Sequence, residues 1–196
     1  YWPMKPGMTW TYRDSDASSK QRVRVTVTSR TRVVRGITAR VVHDVARDGG
    51  QLVEDTYDWY AQDRGGTIWY LGEKTTEYED GVPVSTAGSW EYGVDDAQAG
   101  VVIPANPKPG CRYRQEYYSG EAEDRGAILS TRESIQVPWG YFKTVLTTAD
   151  TTPLEPRMLE HKFYAKDVGL VLAVGVSPHG SREELIDFDR SRRGDR

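Results

Sequence analysis

Polar and apolar residues alternate with a period of two along most of this chain. Val23, Val25 and Val27 alternate with Arg22, Arg24, Thr26 and Thr28, and Ile37, Ala39, Val41, His43 and Val45 resume the rhythm after Arg35-Gly36. Successive side chains of a strand point to opposite faces, so the pattern predicts a hairpin with one buried and one wet face. Turn residues recur at Asp48-Gly49-Gly50, Arg64-Gly65-Gly66 and Asp80-Gly81, the punctuation of a meander. Residues 93–110, rich in Gly, Pro, Asp and Ala, read as a connector, extended from Ile103-Pro104 onward because proline biases its predecessor away from helix. Strands are predicted again over Cys111–Tyr118, Ala127–Val137, Tyr141–Thr148, Arg157–Ala165, Gly169–Val176 and Arg182–Phe188. Only 94–99 and 121–125 have room for a helical turn.

The second half echoes the first. Lys5-Pro6-Gly7 followed by Trp10 and Tyr12 recurs as Lys108-Pro109-Gly110 followed by Tyr113, and Trp59-Tyr60-Ala61-Gln62-Asp63 recurs as Phe163-Tyr164-Ala165-Lys166-Asp167. The Arg35-Gly36 turn has its counterpart at Trp139-Gly140. Order and spacing are kept, as in a duplicated unit whose copies share one core. The expected fold is all-β: an antiparallel barrel or strongly curved sandwich of about ten strands in one domain. Its half-repeats are 1–92 and 108–188, joined by the connector 93–107 and followed by a charged tail, 189–196.

With 196 residues, 37% of them hydrophobic, one core is sustainable without disulfides. A net charge of -3, with basic residues scattered along polar strand faces, excludes a nucleic-acid binder, which needs clustered Lys and Arg. Cys111 is alone, so there is no intramolecular disulfide and no cysteine zinc cluster, and it reads as a small buried hydrophobe. No run reaches the length of a membrane helix. The start at Tyr1 is what removal of a signal peptide would leave.

Particular motifs carry a resemblance. The opening Tyr1-Trp2-Pro3-Met4-Lys5-Pro6-Gly7-Met8-Thr9-Trp10-Thr11-Tyr12 resembles the start of a broad group of exported bacterial β-rich proteins and lipoproteins of unassigned function. Val137-Pro138-Trp139-Gly140-Tyr141-Phe142 is similar to their V-P-x-G-x-F turn. Tyr164-Ala165 with Gly169-Leu170-Val171 is similar to their late Y-A-x-G-x-G-L-V strands, departing from them at Lys166-Asp167-Val168. The resemblance implies export, to the periplasm, cell surface or exterior, and a β fold; it carries over no catalytic residue.

Candidate chemistry comes from polar residues sharing parity with apolar ones, because ionisable groups are costly to bury unless paired or functional. His43 shares parity with Ala39 and Val41, Asp55 with Tyr57 and Trp59, His161 with Leu159 and Phe163, and Glu133 with Leu129, Ile135 and Val137. Pointing inward together, they would form an acid/base pair or hold a divalent metal. Between the halves Tyr57 corresponds to His161 and Asp55 to Leu159, which makes His161 the leading single candidate. Glu121, Glu123 and Asp124 form an acidic turn suited to calcium. Asp14 to Ser18 begins like a calcium loop but lacks the central glycine and closing glutamate, and is rejected.

Six tryptophans and twelve tyrosines against three phenylalanines favour rings with a polar handle. Tyr57, Trp59, Trp69, Tyr70, Tyr113 and Tyr117 are the candidate ligand contacts. No G-x-S-x-G, H-E-x-x-H, C-x-x-C, P-loop or dinucleotide fingerprint occurs. The leading reading is therefore a non-enzymatic exported binding protein, without a cofactor, holding a small apolar or aromatic molecule or a partner protein. The alternatives are an enzyme with a His/carboxylate acid-base or metal site, and a structural subunit of a surface assembly.

Overall fold

A computed structural model describes residues 1–14, 20–178 and 180–190. Residues 15–19, with most of the rejected calcium-loop candidate, and most of the charged tail lie outside the described residues. Fourteen strands and no helix occur among those residues. Ten strands are long: β1 (Thr9–Asp14), β2 (Arg22–Val34), β3 (Ile37–Asp48), β4 (Gln51–Gln62), β5 (Ile68–Glu79), β10 (Arg125–Val137), β11 (Gly140–Thr151), β12 (Leu159–Ala165), β13 (Gly169–Ser177) and β14 (Arg182–Asp189). Four short ones sit in and around the connector: β6 (Val82–Ser85), β7 (Trp90–Glu91), β8 (Gly100–Ile103) and β9 (Arg112–Arg114).

All strands join one antiparallel sheet in the order β6-β5-β4-β3-β2-β1-β14-β13-β12-β11-β10-β9, with β7 and β8 also on β5. The first long strand thus pairs with the last, and each half meanders outward from that central seam. The two Lys-Pro-Gly turns make the same bonds. Gly7 N–H donates to Val27 O and Val27 N–H to Met8 O, at 2.8 and 2.9 Å, while Gly110 N–H donates to Ile128 O and Ile128 N–H to Cys111 O, at 2.9 and 2.8 Å.

The sheet curls until its outer ends approach, but no ladder closes it into a barrel. The connector bridges the gap instead. Gln98 pairs with Tyr117, its N–H donating to Tyr117 O at 2.7 Å, and the Trp90 indole donates to Glu116 at 2.9 Å. The approach is tight enough to demand glycine. A Cβ on Gly100 would lie 2.1 Å from Gln115 O, and one on Gly72 2.3 Å from Trp90 O.

Two clusters follow from this curl. The larger fills the enclosed side with Trp10, Tyr12, Val27, Val42, Tyr60, Tyr70, Trp90, Leu146, Tyr164 and Leu185. A smaller one, Val34, Ala39, Val41, Trp59 and Leu71, lies on the outer face of β2 to β5. There the Arg32 guanidinium covers the Trp59 ring at 4.1 Å and pairs with Glu91. Fully burying a large apolar side chain contributes about 1.5–3 kcal/mol, so both faces stabilise this part of the sheet.

Parity assignments on β3 and β4 are corrected by this arrangement. The Arg35-Gly36 turn, with φ of 49° and 81°, suits a two-residue hairpin. It pairs Val34 with Ile37 and, past a register shift between Val27 and Thr31 that preserves parity, Val27 with Val42 and Val25 with Asp44. Directly paired residues share a face, so the enclosed row runs Val27, Val42, Asp58, Glu73. The row His43, Asp55, Tyr57, expected inside, is outside. On β10 the register shifts between Ile128 and Ser134, and Glu133 is exposed rather than inward. Cys111 is exposed as well.

Candidate functional site

The enclosed face of β3 to β5 carries polar residues where an ordinary core would carry aliphatic ones. Asp44, Asp58 and Glu73 occupy successive inward positions, and Glu183 of β14 joins them from across the seam. Together with residues 115–124 and β12 they line two adjoining chambers. The first, of about 130 Å³, combines Asp44, Asp58 and Glu183 with Trp10, Tyr12, Val23, Val25, Val42 and Leu170. The second, of about 240 Å³, combines Glu73, Glu116, Asp124 and Lys162 with Tyr70, Val102, Gln115 and Tyr164.

Trp2 and Tyr60 line both chambers. The Trp2 ring meets Tyr60 edge-on at 5.2 Å and Tyr164 at 5.9 Å, so one tyrosine from each Tyr-Ala motif packs against the same indole. Tyr60 stacks on Tyr70 at 4.7 Å, and Tyr70 meets Trp90 edge-on at 5.3 Å. The result is a continuous aromatic wall.

Six carboxylates and one ammonium line the chambers. The ammonium is already neutralised: Lys162 Nζ lies 3.1 Å from Asp150 and 3.2 Å from Glu160. Asp150 also accepts from Gln115 at 3.1 Å and Thr148 at 2.8 Å. Burial works against the lysine's charge, but the two carboxylates prevail and hold its pKa well above the usual range.

The chamber carboxylates have no such close ion pair, and the attraction of Lys162 for Glu116, Asp124 and Glu183 is outweighed by burial. Asp58 accepts from the Tyr70 hydroxyl at 2.6 Å and Glu116 from Trp90, which are neutral donors. Asp44 and Glu183 have no hydrogen bond or ion pair with any described residue. Asp44 is partly buried and lines the first chamber. Burial, reinforced by like charges, pushes Asp58 up to about 6, Glu116 and Glu183 to about 7, and Glu73 to about 8. The same causes raise Asp44 well above the carboxylate range, and burial raises Asp124.

The residues singled out from sequence divide between the two faces. His43 Nε2 does meet Asp55 Oδ1 at 2.6 Å, with the imidazole stacked on Tyr57 at 4.2 Å and the Arg30 guanidinium 5.7 Å from the Tyr57 ring. Their side chains keep 29% and 30% exposure, and no chamber includes them. His161, opposite Ala149 and Val174, points away from the Lys162 face. No three of these His and carboxylate side chains gather as metal ligands among the described residues, and neither do Glu121, Glu123 and Asp124. Glu121 is exposed, Glu123 accepts from Gly120 N–H, and only Asp124 reaches a chamber.

Of the aromatic candidates, Tyr70 lines the second chamber and Tyr113 packs its ring against Gly126 on the enclosed side. Tyr57 and Trp59 face outward. Trp69 is 36% exposed and donates to Asp63, and Tyr117 lies under Arg114 at 4.8 Å. Sequence reasoning missed Trp2, Tyr60, Tyr164 and the inward carboxylates. The signal for them was present, since a two-residue turn at Arg35-Gly36 pairs odd positions of β2 with even positions of β3.

No protein-family model matches the chain, and no curated protein matches it. Among solved structures it is similar to a presumed lipoprotein from Parabacteroides distasonis ATCC 8503, at 15% identity and a TM-score of 0.46, covering 96% of this chain and 97% of that one.

Proposed function

We propose that the protein is a non-enzymatic binding protein that takes a small organic cation into the enclosed side of its sheet. The observation carrying this reading is the charge inventory of the chambers: six carboxylates, and one lysine whose charge is spent on Asp150 and Glu160. An apolar guest would leave those buried acids without a new partner, which is costly. An ammonium group would pair with them and also gain from the faces of Trp2, Tyr60 and Tyr70. This departs from the apolar or aromatic ligand expected from aromatic content alone. The rings serve as walls, and the acids choose the guest.

An enzymatic reading has less support. The His43-Asp55 pair lies on the outer face, without a nucleophile hydrogen-bonded to the imidazole. The opening motifs, as read in the sequence, are the ground for proposing that the protein is exported.

Calorimetric titration of the full chain with n-butylamine and with 1-butanol tests the binding reading, because the two guests differ mainly in charge. The amine is expected to bind and to raise Tm, and the alcohol to do neither. His43→Ala should bind like the unaltered protein. Binding of the alcohol without the amine would overturn the assignment.

A further inference from the structure

The enclosed side holds two acidic chambers rather than one, and they share a wall. Trp2 and Tyr60 line both, with Asp44, Asp58 and Glu183 on one side and Glu73, Glu116 and Asp124 on the other. Asp58 stands between the groups. It is directly paired across the ladder with Val42 on one side and Glu73 on the other. A guest with one positive charge would satisfy one chamber and leave the other group of carboxylates as before. Asp44 makes the point sharply, being partly buried, unpartnered and in the lining of the first chamber.

From this arrangement we infer that the guest is an aliphatic diamine, with one ammonium in each chamber and its methylene chain against Trp2 and Tyr60. The inference rests on the cation-binding reading above and specifies its substrate class. The chemistry of the walls fits each part of such a molecule. Aromatic faces accept both methylene groups and the edge of an ammonium charge. Carboxylates at both ends supply charge-assisted acceptors. Lys162 also lines the second chamber, but its ammonium is engaged by Asp150 and Glu160, so the chamber's acids remain open to a guest. The site is therefore selective by charge count as well as by sign, since carboxylates on either side of a shared wall reward two separated ammonium groups.

The test is calorimetric titration of the full chain at pH 8 with 1,4-diaminobutane and 1,5-diaminopentane, against n-butylamine and n-pentylamine. Asp44→Asn and Glu116→Gln serve as chamber-specific variants. Both keep side-chain shape and replace a poorly compensated buried acid with a neutral amide, so folding should survive, and circular dichroism checks that it does. The diamines are expected to bind at least about tenfold more tightly than the monoamines. Each variant should bring the diamine down to roughly the affinity of the monoamine, which still has one intact chamber. Equal affinity for mono- and diamines would overturn the diamine assignment while leaving the cation reading standing. If neither class binds the folded protein, both readings fall.

Discussion

Lys162 illustrates how one side chain decides the character of its surroundings. It lines the second chamber, yet its bonds at 3.1 and 3.2 Å commit it to Asp150 and Glu160. Asp150 is 2% exposed, so without the lysine it would be a buried carboxylate held only by neutral donors. Lys162→Met should cost about 3 kcal/mol in urea denaturation, the low end of the range for breaking a buried pair because the lysine keeps 28% exposure. Adding Asp150→Asn should recover most of that loss. A single variant as stable as the parent would show that the pair does not hold the interior. Period-two patterning placed Lys162 on a strand, on the same face as Glu160, and made it look like a solvated residue; its other partner, Asp150, comes from β11, which no local pattern connects to it.

At the scale of elements, the decisive feature is the connector. Besides joining the chain on either side, it lays β8 along β5, which also pairs with β7, and presses against residues 115–117. Gly100→Ala tests that contact. A Cβ would fall 2.1 Å from Gln115 O and 2.6 Å from Glu116 N, backbone atoms that cannot rotate aside. We expect a loss of about 1–3 kcal/mol, read as a lower Tm. An unchanged Tm would mean that the seam is not tightly held. The long strands from β2 to β5 and from β10 to β14 were legible from alternation and turn residues, whereas β1 was not assigned and the strand expected over Cys111–Tyr118 is realised only as β9. The other short strands were not legible, because two to four residues carry too little pattern to distinguish strand from loop. Glu133 was misassigned for a related reason: the register shifts within β10 reverse parity, and a bulge leaves no mark in a hydrophobic pattern.

For the whole molecule, the interior carboxylates govern how stability varies with pH. Asp58 faces Asp44 from β3, Glu54 on its own strand, Tyr70 and Glu73 from β5, and Glu116 from the segment beside β9; none of these is a cation. Folding raises these acids from ordinary carboxylate values to about 6 for Asp58, about 7 for Glu116 and Glu183, and about 8 for Glu73. The folded chain therefore holds protons that the unfolded chain releases. Their contribution is fully present below the unfolded values near 4 and is lost as pH rises through 6 to 8. Tm of the protein without ligand should accordingly fall between pH 5 and pH 9, by on the order of 1.4 kcal/mol in stability per pH unit for each group titrating. Lys162 stays charged across that window and does not reverse the trend. Differential scanning calorimetry at fixed ionic strength is the measurement, and a Tm that is flat or rising over that range would refute the assignment of uncompensated interior acids.

Alternation along the chain was sufficient to establish an all-β meander, its principal turns and, where no bulge intervenes, which residues share a face of a strand. These are local consequences of backbone geometry, since side chains two apart must point the same way. Which face is enclosed is a different kind of fact. It depends on β1 pairing with β14, on the sheet curling, and on the connector bridging its ends, all contacts between residues far apart in sequence. On β3 and β4 the outer row Val41, Trp59 and Tyr57 is more apolar than the inner row, so hydrophobicity alone pointed to the wrong side. Only the tertiary structure could place Asp44, Asp58 and Glu73 beside Trp2 and Tyr164, because the cost of burying a charge is met by what surrounds it and not by its neighbours in the chain.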